Sequence, residues 1–174
     1  MRHLADVIRQ PLRWSQPSML ARDYELRSGS ELVATLSLRS AFGTLAHAQS
    51  ADGSWTFKRV GFWQTRATVR EDGAARDLAS FEHNTWRGGG TLRFADGRSL
   101  LVTTNFWQTH IEFRLSEDHV LFRYRTEGFL RQAAELEIMP GLAAMREGPW
   151  LLLFGWYLVV MMHQDANSTV VIVG

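Results

Sequence analysis

Three arginines and a histidine surround a single carboxylate on two neighbouring strand-like segments. His110, Glu112 and Arg114 alternate along one segment, and Arg123 and Arg125 along the next. Arginine offers a planar fork of donors that grips a phosphate or carboxylate through paired hydrogen bonds, so an anion site is the chemistry such a set can perform. The register follows from the turn between the segments. With Glu117 and Asp118 at its tip, Phe113 faces Phe122 on one side of the sheet. On the other side Glu112 then faces Arg123 and His110 faces Arg125. The same register supplies a plainer reading, a cross-strand ion pair on a solvated face, worth only about 0–1 kcal/mol. Arg27 and Glu31 flank the Ser28-Gly29-Ser30 turn and invite the same interpretation.

Other chemistry finds little support. His110 with Glu112, and Glu82 with His83, are fragments of a metal site, but zinc needs three or four converging ligands and no HExxH-type spacing is present. The chain has no cysteine, hence no thiolate ligand, no cysteine nucleophile and no disulfide framework. It has no GxSxG elbow, no phosphate-binding P-loop and no GxGxxG. Gly88-Gly89-Gly90 reads as a bend entering a strand. The expectation is therefore a protein that is not an enzyme, with no catalytic residue, metal or cofactor. A net charge of +1 gives no field to attract nucleic acid. Eighteen arginines against the lone lysine Lys58 are scattered and largely matched by acids, which points to coding bias.

The elements that must hold these side chains are strands. From about residue 20 to 138 the sequence alternates apolar and polar, as in Leu32, Ala34, Leu36 and Leu38 on one face and Glu31, Thr35, Ser37 and Arg39 on the other. Asp-Gly recurs at 52–53, 72–73 and 96–97, suiting the central pair of type I′ hairpins. Adding Leu12–Trp14 and Ala133–Ile138 gives about twelve strands in an antiparallel meander. An internal echo runs through them. Residues 52–70 and 96–114 match at seven of nineteen positions, each copy carrying Phe-Trp-Gln-Thr, at 62–65 and 106–109. A repeated hairpin-and-strand unit explains this, with a shared binding motif as the sharper alternative.

Trp150–Met162 is apolar on every side, so the helix it predicts has no solvent face and must be surrounded. Gly148-Pro149 provides its entry. Thirteen residues span only about 20 Å, short of the roughly 30 Å of a bilayer core, and His163-Gln164-Asp165 end the run. Protein is the better casing, and a twelve-strand barrel is wide enough to hold a helix. The expected fold is a mainly β, closed antiparallel barrel of about twelve strands enclosing one hydrophobic C-terminal helix, with residues 1–174 as one domain.

This combination of strand pattern, Asp-Gly hairpins and the stretch Glu147-Gly-Pro-Trp-Leu-Leu-Leu-Phe-Gly-Trp-Tyr157 resembles the tubby C-terminal-like superfamily over roughly residues 10–165. That superfamily includes the tubby domain, the phospholipid scramblases and the plant LURP-one-related proteins. Thr169–Val173 departs from the pattern and reads as an extra edge strand. The resemblance implies a barrel-based binding or scaffold domain and makes an anionic lipid headgroup the implied ligand. No residue of either lipid-associated family maps onto this chain one by one. The anion candidates thus remain His110, Arg114, Arg123 and Arg125. The expectation is a soluble cytoplasmic protein without a transmembrane segment or nucleic-acid partner, taking a protein or an anionic headgroup.

Overall fold

The structure is a computed structural model describing residues 1–18, 22–40, 43–60, 66–84, 89–105, 109–127 and 132–171, the last five by backbone alone. Twelve strands form: β1 (Leu12–Ser15), β2 (Asp23–Ser28), β3 (Glu31–Leu38), β4 (Ala46–Ser50), β5 (Gly53–Val60), β6 (Arg66–Glu71), β7 (Ala79–His83), β8 (Gly90–Phe94), β9 (Ser99–Thr104), β10 (His110–Ser116), β11 (His119–Glu127) and β12 (Ala133–Ile138). Among the described residues three helices accompany them, α1 (Leu4–Val7), α2 (Pro140–Ala143) and α3 (Gly148–Val171). Each strand pairs antiparallel with its neighbours in sequence, and β1 pairs with β12, so the meander closes into a barrel with no free edge.

Period-2 alternation decides which face of each strand goes in. Leu26, Leu36, Phe57, Leu92, Phe113 and Tyr124 are fully buried, while the residues between them are half-buried or exposed. The register expected for β10 and β11 holds: Phe113 lies opposite Phe122, Glu112 opposite Arg123 and His110 opposite Arg125. The two phenyl rings stack at 4.4 Å.

The hairpin tips differ in detail from two-residue Asp-Gly turns. Ser50 pairs with Gly53, which leaves Ala51 and Asp52 as the loop. At the third tip the Gly97 N–H returns to the Phe94 carbonyl, and the Phe94 N–H donates to Arg98, so three residues make the connection. Asp72-Gly73 do sit at the centre of a turn, closed by the Ala74 N–H on Glu71, but the link to β7 runs on to Leu78. Gly89 has φ of +86°, and a Cβ there would lie 2.0 Å from the Val102 carbonyl oxygen, so the expected bend is real and only glycine fits it. The two echo copies superpose in topology, β5 and β6 answering to β9 and β10 four strands further round. Of the Phe-Trp-Gln-Thr copies only Thr109 lies within the described residues.

α3 is longer than its apolar run. Residues 150–161 are all buried, Met162 is half-buried and the helix continues to Val171. Thr169–Val171 are helical, contrary to the expected edge strand. A helix already nucleated gains a hydrogen bond for each residue added, and a closed barrel offers no edge to pair with. The rings of α3 meet strands all round the sheet. Trp156 stacks on Trp14 of β1 at 5.4 Å and meets Tyr24 of β2 and Tyr124 of β11. Phe154 meets Phe57 of β5 and Phe81 of β7, and Trp150 meets Phe94 of β8. Gly155 passes so close to β11 that a Cβ would lie 2.6 Å from the Tyr124 ring. Among the described residues no helix is long and apolar enough to cross a membrane.

Polar ties hold the start of the helix and a point beyond its apolar run. Glu147, just before α3, accepts hydrogen bonds from Arg98 of the β8–β9 turn and from Arg146. Further along, Arg59 of β5 forms a bidentate pair with Asp165, at 2.8 and 2.7 Å. At the N-terminal end of the chain, Asp52 accepts the Leu4 N–H at 2.9 Å and so anchors α1.

Candidate functional site

Closure of the barrel lays outward side chains in rows that cross several strands. One row reads His110 on β10, Arg125 on β11, Glu135 on β12, Arg13 on β1 and Arg27 on β2. The next reads Glu112, Arg123 and Glu137 on β10, β11 and β12. A groove of about 600 Å³ lies over these rows, lined by Arg13, Arg27, Arg123, Arg125, Glu135 and Glu137, with Pro11 at its side.

The arginines are held mostly from outside the groove. Arg13 pairs with Glu127 at 2.7 Å, and Arg27 pairs with Glu25 at 2.7 Å while also donating to the Ser30 carbonyl. Arg123 donates to Glu112 and reaches Glu137 at 3.2 Å. Glu112 accepts from Arg114 as well. Burial pushes the Glu112 carboxyl up, but hydrogen bonds from Arg114 and Arg123 outweigh it and hold the group below its ordinary value. It is the charged carboxylate that orients both guanidinium groups.

The four residues proposed from sequence therefore divide. Arg123 and Arg125 line the groove. Arg114 does not: it folds back onto Glu112 of its own strand and onto the Glu117 carbonyl. His110 lies at the end of the row, with Nδ1 3.1 Å from the Thr109 hydroxyl, and does not line the groove. The Glu112–Arg123 ion pair expected from the register is formed. The one expected between Arg27 and Glu31 is not, because the turn closes on Gly29 and Ser30 with Ser28 opposite Glu31, which sets Arg27 opposite Leu32, and Glu31 pairs with Arg2.

As members of the groove, Arg13 and Arg27 escaped the sequence reading, which took Arg27 only as an ion-pair partner for Glu31. Each occupies an outward position of its own strand, a signal that is present in the alternation. Their approach to Arg125 depends on the pairing of β1 with β12, more than a hundred residues apart. Their juxtaposition is also unusual, since like charges directly opposite across two strands repel. Each is compensated by its own carboxylate, and an anion in the groove would compensate both.

Among the described residues no three His, Asp or Glu side chains converge on a point that would hold a metal ion. His110 and Glu112 stand in different rows, and Glu82 is near Arg93 at 3.8 Å. Comparison with known proteins finds no family model that matches the chain, no matching curated protein and no matching solved structure.

Proposed function

We propose that this chain is a non-enzymatic binding domain that receives an anionic group in the arginine groove on the outside of its barrel. The observation that carries this reading is the set of four guanidinium groups lining one groove, three of them held in place by carboxylates. A side chain already fixed by an ion pair loses little freedom when a ligand arrives, which is how a site is preorganised. The proposal includes α3 filling the barrel, supported by its burial on every side and by ring contacts to strands round the whole sheet. A filled interior leaves the outer face for ligands. A twelve-strand barrel with an apolar C-terminal helix also agrees with a tubby-like assignment, and we retain that family and a reducing, cytoplasmic setting as part of the reading.

Calorimetric titration of the full chain with pyrophosphate at low salt tests the site. The double variant R13E/R125E should lose binding, and about 0.15 M salt should weaken it in the parent, since exposed charges are screened beyond about 8 Å. Heat of binding that is equal in parent and variant, or absent from both, overturns the proposal. Sedimentation with vesicles containing anionic lipid shows whether the anion is presented on a membrane.

A further inference from the structure

Arg125 and Glu135 are directly opposed on β11 and β12, and both are exposed and line the groove. Opposite charges in this arrangement ordinarily pair. One row away, on the same two strands, Arg123 and Glu137 do so at 3.2 Å. Yet among the described residues neither Arg125 nor Glu135 forms an ion pair or a side-chain hydrogen bond. Glu135 has a second guanidinium directly across from it, that of Arg13, and this one turns to Glu127 instead. Among the described residues a carboxylate thus stands unpaired between two arginines, one of which, Arg125, is unpaired as well. Resting on the binding reading above, we infer that the groove takes a zwitterion, a small molecule carrying one anionic group and one ammonium on a short chain. Its anion sits where Arg13 opposes Arg27, drawing on forks that suit phosphate and carboxylate alike. Its ammonium meets Glu135. The methylenes between them lie beside the exposed ring of Pro11.

Matched ligand pairs test this on the full chain at low salt. Phosphoethanolamine is compared with ethyl phosphate, and β-alanine with propionate, each pair differing chiefly in the ammonium. In at least one pair the zwitterion should bind about tenfold more tightly, the scale of one charge-assisted hydrogen bond. The tighter pair identifies the anion as phosphate or carboxylate. In E135Q the preference should vanish, with the plain anion gaining affinity because a repelling carboxylate is gone. The thermal midpoint should not move, because Glu135 is exposed and unpaired. Vesicles displaying phosphatidylethanolamine tell a membrane-borne source from a soluble one, and capture by them supports the inference. Equal affinity for zwitterion and plain anion, or a preference that survives in E135Q, overturns the inference and leaves the anion site standing. No binding of any of the four overturns both.

Discussion

At the scale of single residues, charge on the outer face is organised by carboxylates, and Glu112 is the clearest case. Its side chain is only 14% exposed and it receives two guanidinium groups, so its charge is held in a place that water alone would not favour. The E112Q variant keeps the shape but removes the charge. It should cost about 1–2 kcal/mol at neutral pH, the value of hydrogen bonds to a charged group less what Arg123 keeps through Glu137. The sign of the pH dependence follows from the depressed folded-state value. Stability from Glu112 is fully present above the ordinary carboxyl value of 4.5 and is lost as pH falls through the lower folded value. Chemical denaturation of parent and variant should therefore show the full difference at pH 6–7 and a closing gap below pH 4.5. A gap independent of pH would remove Glu112 from the ion-pair role. Glu112 opposite Arg123 was legible in the sequence, because a turn and two alternating strands determine it locally. Arg13 and Arg27 beside Arg125 were not, since no local pattern encodes which strands close the barrel.

At the scale of elements, α3 and β11 meet at a contact without slack. Alanine in place of Gly155 would favour the helix by about 1 kcal/mol in isolation. Its methyl group would intrude on the Tyr124 ring at 2.6 Å, and that ring is held by its own hydroxyl on the Leu152 carbonyl. Phe113, 3.1 Å from the same point, is backed by Phe122. Neither ring has room to retreat, so overpacking wins, and G155A should be net destabilising by about 1–3 kcal/mol in thermal or chemical unfolding. A stabilised variant would mean that the two elements are not packed as described. Trp156→Ala removes a side chain with no exposed surface and should cost about 3–5 kcal/mol by the same measurement. The burial of residues 150–161 was readable because an all-round apolar run has no face to turn to water. Its further residues to Val171 were not, because Thr169, Val170 and Val171 carry strand-like side chains and only continuation from the preceding turns makes them helical.

At the scale of the whole molecule, the barrel and the helix answer a shared problem. A closed sheet of twelve strands turns a row of apolar side chains from every strand toward one interior, and twelve strands enclose more space than side chains alone fill. A helix without a polar face needs surroundings on every side. In the proposed arrangement each supplies what the other lacks, and neither is stable alone. A chain ending at Gly148 should then collapse or aggregate, because Trp14, Phe57, Phe113 and Tyr124 would lose their packing partners and expose a large apolar surface. The full chain should stay in solution without detergent and unfold in one cooperative transition. If α3 instead served as an anchor lying apart from the barrel, removing residues 149–174 would leave a folded domain that is more soluble than the parent. Expression of both chains, with soluble yield and calorimetric unfolding measured side by side, separates the alternatives. A cooperative transition from residues 1–148 at or near the parent's midpoint would refute the filled barrel, and with it the argument that ligands are confined to the outer face.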